Sequence, residues 1–263
     1  LVTINSSTAS GNGKEGFKVL SLGAITLSGV TASGNALDGA NLVNSYASPL
    51  AKGITVSRST FDLNQSVGLR IDTLRKITLT SINASDNATN GVYGFNGSST
   101  VGSPIVVSGT NRFYHNGTNL LSSGVYLNSQ GLITLSGIVS AWNGMYGVSA
   151  NTAMGVTAAN IQVLGNTGSG LLISSNGAVT LGGITALQNG TVVDKSGVEI
   201  SNISGKVTVT SGLIMGNGRY GLEIDVAGAT EAERKLKVSI APGVVVFGND
   251  VVSPYQGKQI EVY

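Results

Sequence analysis

The residues able to do chemistry are few. The chain has one histidine, His115 in "FYHNG", and no cysteine. Glu199 and Glu223 each lie two residues after a strand-opening glycine, in "GVEIS" and "GLEID". Stacked as neighbouring strands, these segments would set the two carboxylates side by side at about 4.8 Å, both outward. Retaining glycosidases use a separation of about 5 Å. Lys195 and Arg219 precede the same glycines by two residues, and a solvated charge cluster explains the four residues more simply than catalysis. His115 stands immediately before a recurring Asn and reads as a turn side chain. Tyr93 and Tyr126 hold equivalent places in "GVYGF" and "GVYLN", with Phe95 nearby and Tyr146 and Tyr220 close to turns. Tyrosines on a rigid strand surface suit a ligand or contact surface, by sugar stacking or protein contact. The plainer alternative is a cross-strand pair that stabilises the sheet. The remaining acids scatter: Asp38 and Asp62 fall at different offsets, and Asp72 and Asp225 share a column far apart. No catalytic residue, cofactor site or metal site is therefore assigned.

The elements that would position these groups come from a repeat. Segments of the pattern aliphatic-Thr-aliphatic, with conservative replacements, start at Val2, Ile25, Ile54, Ile77, Ile105, Ile133, Val156, Val179, Val207 and Val238. The starts are 23 residues apart, or longer by five to eight, as one unit carrying loops at fixed places would be. Ten or eleven residues after each start comes an Asn: Asn12, Asn35, Asn64, Asn87, Asn116, Asn143, Asn166, Asn189, Asn217 and Asn249. A second segment opened by Gly follows in most units, and a third inward pair, as in Val30 and Ala32 or Ile184 and Ala186, completes them. Alternation of period two makes these strands, whereas helical solenoids need a period of 3.6 and longer units. Three strands too short for a sheet of their own bury their apolar faces only by stacking unit on unit. The expected fold is all-β, a parallel β-helix of about ten coils and roughly 48 Å, in one domain over 1–263. The Asn residues are expected to form a hydrogen-bonded ladder, each in the left-handed turn conformation that Asn tolerates.

The phrases "ITVSRSTFDLNQSVGLRID" and "VTVTSGLIMGNGRYGLEID" resemble the repeat of the pectate-lyase-like superfamily, across all ten units. The resemblance implies a right-handed helix with stacked Asn at a turn. It leaves function open, since lyases, hydrolases, epimerases, phage tailspikes and surface proteins share the fold. Its polygalacturonase-like members carry grouped Asp residues, Gly-His-Gly and Arg-Ile-Lys, which this chain lacks. A column of Thr3, Thr26, Thr55, Thr78, Thr134, Thr157, Thr180 and Thr208 invites comparison with an ice-binding array. However, Asn5, Ala159, Gly182 and Ala241 break its neighbouring column, and Thr is a good β-former that can bond to its stacked twin.

Only 11% of residues are charged, and residues 113–193 contain no Asp, Glu, Lys or Arg. A net charge of +2 without a basic stripe argues against nucleic acid. No apolar run is long enough to span a membrane. "GATEAERKLK" reads as a short helical insertion over 229–236, with Thr230 and Glu233 at capping-box spacing. "LVTIN" is already a strand, so the first coil lacks an amphipathic cap, which implies preceding protein or head-to-tail stacking of copies. Asn96-Gly97-Ser98 is a glycosylation-type sequence. Together these features predict an extracellular, cell-surface structural or adhesive β-helix, self-associating as a filament, sheath or stalk. The alternatives are a polysaccharide lyase or hydrolase using the loops of the longer units, and a non-catalytic carbohydrate-binding β-helix.

Overall fold

A computed structural model of the chain describes residues 1–45, 52–98, 102–117, 122–190, 195–202, 204–228, 230–249 and 260–262. Each of the ten starts opens a strand, and neighbours pair in parallel and in register, from Val2 on Ile25 to Val207 on Val238. A facing sheet of ten strands runs from Phe17–Leu20 through Ala40–Asn44, Leu69–Thr73, Val92–Asn96, Val125–Ser129, Val148–Thr152, Leu171–Ser175, Val198–Asn202 and Leu222–Val226 to Ile260–Val262. The chain is thus an all-β parallel solenoid of ten rungs, or about nine turns.

The three strands expected per unit resolve into two sheets. The first strand and the third inward pair belong to one sheet, bent between them, and in the middle coils they form a single strand such as Ile133–Ala141 or Val179–Leu187. In the first eight coils the bend is made four residues after the start by a residue with positive φ: Ser6, Gly29, Arg58, Ser81, Gly109, Gly137, Asn160 and Gly183. Inward residues of both sheets, including Ile25, Leu27, Leu69, Ile71, Leu171 and Ile173, are wholly buried and form one aliphatic core running the length of the rod. Every coil therefore depends on its neighbours for burial, as in other solenoids.

The ladder is continuous. Nδ2 of each of Asn12, Asn35, Asn64, Asn87, Asn116, Asn143, Asn166, Asn189 and Asn217 donates to Oδ1 of the next rung, at 2.8–3.1 Å. The same Oδ1 also accepts the backbone N–H of the preceding rung, as in Asn166 N to Asn189 Oδ1 at 3.1 Å. One part of the expectation is corrected. The left-handed residue is the one before each Asn, namely Gly11, Gly34, Leu63, Asp86, His115, Trp142, Gly165, Gln188, Gly216 and Gly248. Turning the preceding residue leaves each Asn oriented inward with its amide along the rod axis.

A second buried polar column closes the other end of the facing strands: Asn44, Thr73, Asn96, Ser129, Thr152, Ser175 and Asn202. Each member bonds main chain at the turn, as when Ser129 Oγ donates to Ser103 O at 3.1 Å and accepts Gly131 N at 3.0 Å. Asn96 is fully buried and donates to Arg75 O and Ser103 O, so the folded chain does not present it for glycosylation. The threonine column of the bent sheet is in register, but among the described residues its hydroxyls make no hydrogen bond to the protein. Bonding between stacked twins, expected from sequence, does not occur there. The helical insertion is Glu231–Leu236, with both bonds of its capping box made and no buried residue.

Candidate functional site

The outward residues of the facing sheet form two adjacent columns. The first reads Lys18, Asn41, Arg70, Tyr93, Tyr126, Ser149, Leu172, Glu199, Glu223 and Glu261; the second includes Asp72, Phe95, Asn128, Asn151, Ser174, Ser201 and Asp225. Strand pleating puts both columns on one face and coil spacing sets their rungs about 4.8 Å apart.

Tyr93 and Tyr126 stack, with ring centroids 5.3 Å apart and planes inclined by 11°. The Arg70 guanidinium lies over the Tyr93 ring at 5.2 Å and is itself held by Asp38, Nε to Oδ2 at 2.8 Å. Burial pushes the Tyr93 hydroxyl above its ordinary pKa, and the neighbouring Tyr126 adds to the shift. Beside this pair runs an open groove of about 360 Å³, lined by Phe95, Gly97, Asn128, Ser129, Gln130, Asn151, Thr152, Ala153 and Asn176. Gln130 Nε2 donates to Gly97 O at 2.8 Å. The side-chain amides of Asn128, Asn151 and Asn176 make no hydrogen bond among the described residues, leaving donors and acceptors turned to solvent. Sequence reasoning placed the tyrosines but missed the groove, whose polar wall comes from strand ends and turns outside the repeat's apolar pattern.

The other candidates separate. Tyr146 lies half-buried at the start of its facing strand, its hydroxyl pKa raised by burial and then by Glu199. Tyr220 does not join the surface: it is 1% exposed, with the Arg219 guanidinium 4.7 Å over its ring. His115 is a turn residue, 3.6 Å from Asp86 and stacked on the exposed Trp142 at 5.3 Å. Glu199 and Glu223 are cross-strand neighbours, and each accepts a hydroxyl from the preceding coil: Ser169 Oγ to Glu199 at 2.7 Å and Ser196 Oγ to Glu223 at 2.6 Å. Arg219 lies 3.5 Å from Glu223. Glu261 extends the column to three carboxylates. Sequence reasoning missed it because its strand is not opened by Gly in the usual place. Asp72 and Asp225 do share a column, six coils and about 29 Å apart. Among the described residues no three His, Asp or Glu side chains gather as a metal site. A second hollow, of about 540 Å³, lies where the facing sheet meets the short helix, between Asp225, Glu231, Arg234 and Glu261.

The loops proposed for an enzyme fall mostly on residues 46–51, 99–101, 118–121 and 191–194, outside the described residues. No helix among the described residues is long and apolar enough to cross a membrane. No protein-family model matches the chain, and no curated protein matches it. Among solved structures it is similar to a mutant of the periplasmic alginate epimerase AlgG, at a TM-score of 0.51 and 14% identity, over 90% of this chain and 60% of that one. The chain spans about 60% of that protein's length. At this identity the likeness concerns the backbone, and with the register and the ladder it makes the chain a right-handed parallel β-helix of the pectate-lyase-like fold.

Proposed function

We propose that the chain is a non-catalytic, adhesive β-helix of the cell surface, a rigid rod that holds carbohydrate on the facing sheet. The observation carrying this reading is the groove beside the Tyr93–Tyr126 stack, where Phe95 and the unpartnered Asn128 and Asn151 amides follow one another along one column and Asn176 adds a third amide from the next turn. Sugars offer apolar CH faces and hydroxyl edges, and flat aromatics next to fixed amides match both. Because the groove is built on the ends of strands stacked to the core and the tight turns that follow them, its geometry is preorganised and little ordering entropy opposes binding. The carboxylates Glu199 and Glu223 lie past Leu172, at least two coils beyond the Asn128 and Asn151 rungs, and neither lines the groove. Support from the neighbour is limited to its printed activity on alginate, a polysaccharide.

The test is immobilised-glycan binding with the whole chain, followed by Tyr126→Ala and Asn128→Ala. Both variants should bind more weakly, by about fivefold or more, since stacking and a lost hydrogen bond are each worth about 1 kcal/mol. Binding unchanged in both, or release of reducing ends or unsaturated sugars, would overturn the reading. A filament or sheath role is the second reading. It draws on the charge-free stretch, where Leu132, Trp142 and Met154 are large exposed hydrophobics suited to lateral contact. Light scattering and electron microscopy of concentrated protein test it, and a persistent monomer would overturn it.

A further inference from the structure

Resting on the carbohydrate reading, we infer that the groove selects neutral glycans and rejects uronates and other polyanionic chains. The lining holds no Lys or Arg. Along the two outward columns, the rungs from Tyr126 and Asn128 through Leu172 and Ser174 are uncharged, in contrast to the sheet on either side. On one side the charges nearly balance: Arg70 is bound to Asp38, and the turn one coil below Gly97 carries Asp72, Arg75 and the exposed Lys76. On the other side the carboxylates of Glu199, Glu223, Asp225 and Glu261 occupy three consecutive coils and outnumber the cations set among them, Lys195, Arg219 beside Glu223, and Arg234 in the hollow with Asp225 and Glu261. A polyanion laid along this face would exchange the hydration of its carboxylates for amides and hydroxyls that supply no counter-charge, and its far end would meet like charge. A neutral pyranose chain carries no such cost, and its hydroxyls fit groups that both donate and accept, as Asn128, Asn151 and Asn176 do. The partner class is therefore an uncharged hexose or pentose polymer in contact with successive coils.

The test measures calorimetric binding of neutral hexasaccharides (cello-, xylo-, manno- and laminari-oligomers) and of hexamers of alginate and polygalacturonate, at low and at physiological salt. At least one neutral oligomer should bind about tenfold or more tighter than either uronate, with the gap widest at low salt, where charge repulsion is least screened. Asn151→Lys should narrow or reverse that gap by placing a cation in the groove. Uronates that bind as tightly as the neutral sugars, and lose binding in Tyr126→Ala, would overturn the charge selection while leaving the site standing. If no oligomer of either kind binds, the selection and the carbohydrate reading fall together.

Discussion

Replacing Asn189 by Leu tests the ladder at a fully buried rung. In the native chain its Oδ1 accepts Asn166 Nδ2 at 2.9 Å and Asn166 N at 3.1 Å, and its Nδ2 donates to Asn217 Oδ1, Val163 O and Leu187 O. Leu keeps the branched shape and removes every polar atom. Asn217 Oδ1 still accepts the main-chain N–H of residue 189, at 2.9 Å, and Asn166 Nδ2 still donates to Ser140 O at 3.0 Å. Two donors are stranded in the interior: the Asn166 backbone N–H and one Asn166 amide hydrogen. At about 1–3 kcal/mol for each buried unsatisfied group, the loss is about 2–6 kcal/mol. Against the usual 5–15 kcal/mol of a folded domain that is large, and at about 2–4 °C per kcal/mol it is easily read in a thermal melt. Asn12→Leu is the control. Asn12 is exposed and donates to Asn35 without accepting from a preceding rung, so about 0.5–1.5 kcal/mol is expected. Urea and thermal unfolding of both variants decide the matter. A loss at Asn189 no greater than that at Asn12 would refute the claim that the stacked amides hold the turn.

Leu63 is 60% exposed at φ 60°, so Leu63→Gly should relieve left-handed strain and raise stability by about 0.5–1 kcal/mol after the added unfolded-state freedom is counted; a lower melting temperature contradicts this. Burial, followed by nearby Asp86, raises the pKa of Asp62 while Ser85 N–H opposes the shift. The folded chain therefore holds the Asp62 proton longer than the unfolded chain, and stability falls as pH rises from about 4 through the raised value. Asp62→Asn should remove that part of the decline, and melts from acid to neutral pH with unchanged slope would rule it out. Thr230→Ala removes a capping-box acceptor from a helix with no buried residue, so amide exchange should quicken over Glu231–Leu236 with the global melt unmoved.

Much of this architecture is written in side-chain chemistry and some is not. Inward aliphatics at alternate positions are a burial signal, which is why all ten starts fall on strands. The Asn of each coil is legible because no other side chain so readily donates and accepts along a stack. The residue that makes the turn is not legible: Leu63, Trp142 and Gln188 take positive φ because the rungs on either side demand it, against their own preference. The bent sheet was read as two strands because a single left-handed residue interrupts the alternation without ending the pairing. The site was half legible. Tyr93 and Tyr126 share an offset from Gly and so could be stacked on paper, whereas the burial of Tyr220 under Arg219 and the gathering of Asn128, Asn151 and Asn176 depend on how turns pack.

The amide ladder also gives the molecule a direction. Within a parallel sheet, main-chain N–H and C=O groups point alternately up and down the stack, so their dipoles largely cancel. The nine side-chain links do not alternate: each donates toward the following coil and accepts from the preceding one. Their dipoles add along the axis, with the negative pole toward the Asn12 end and the positive pole toward Asn249. The rod is therefore a vector, and a further coil continues the amide current only if it joins in the same sense. Two copies meeting by like ends would oppose donor to donor or acceptor to acceptor at the ladder.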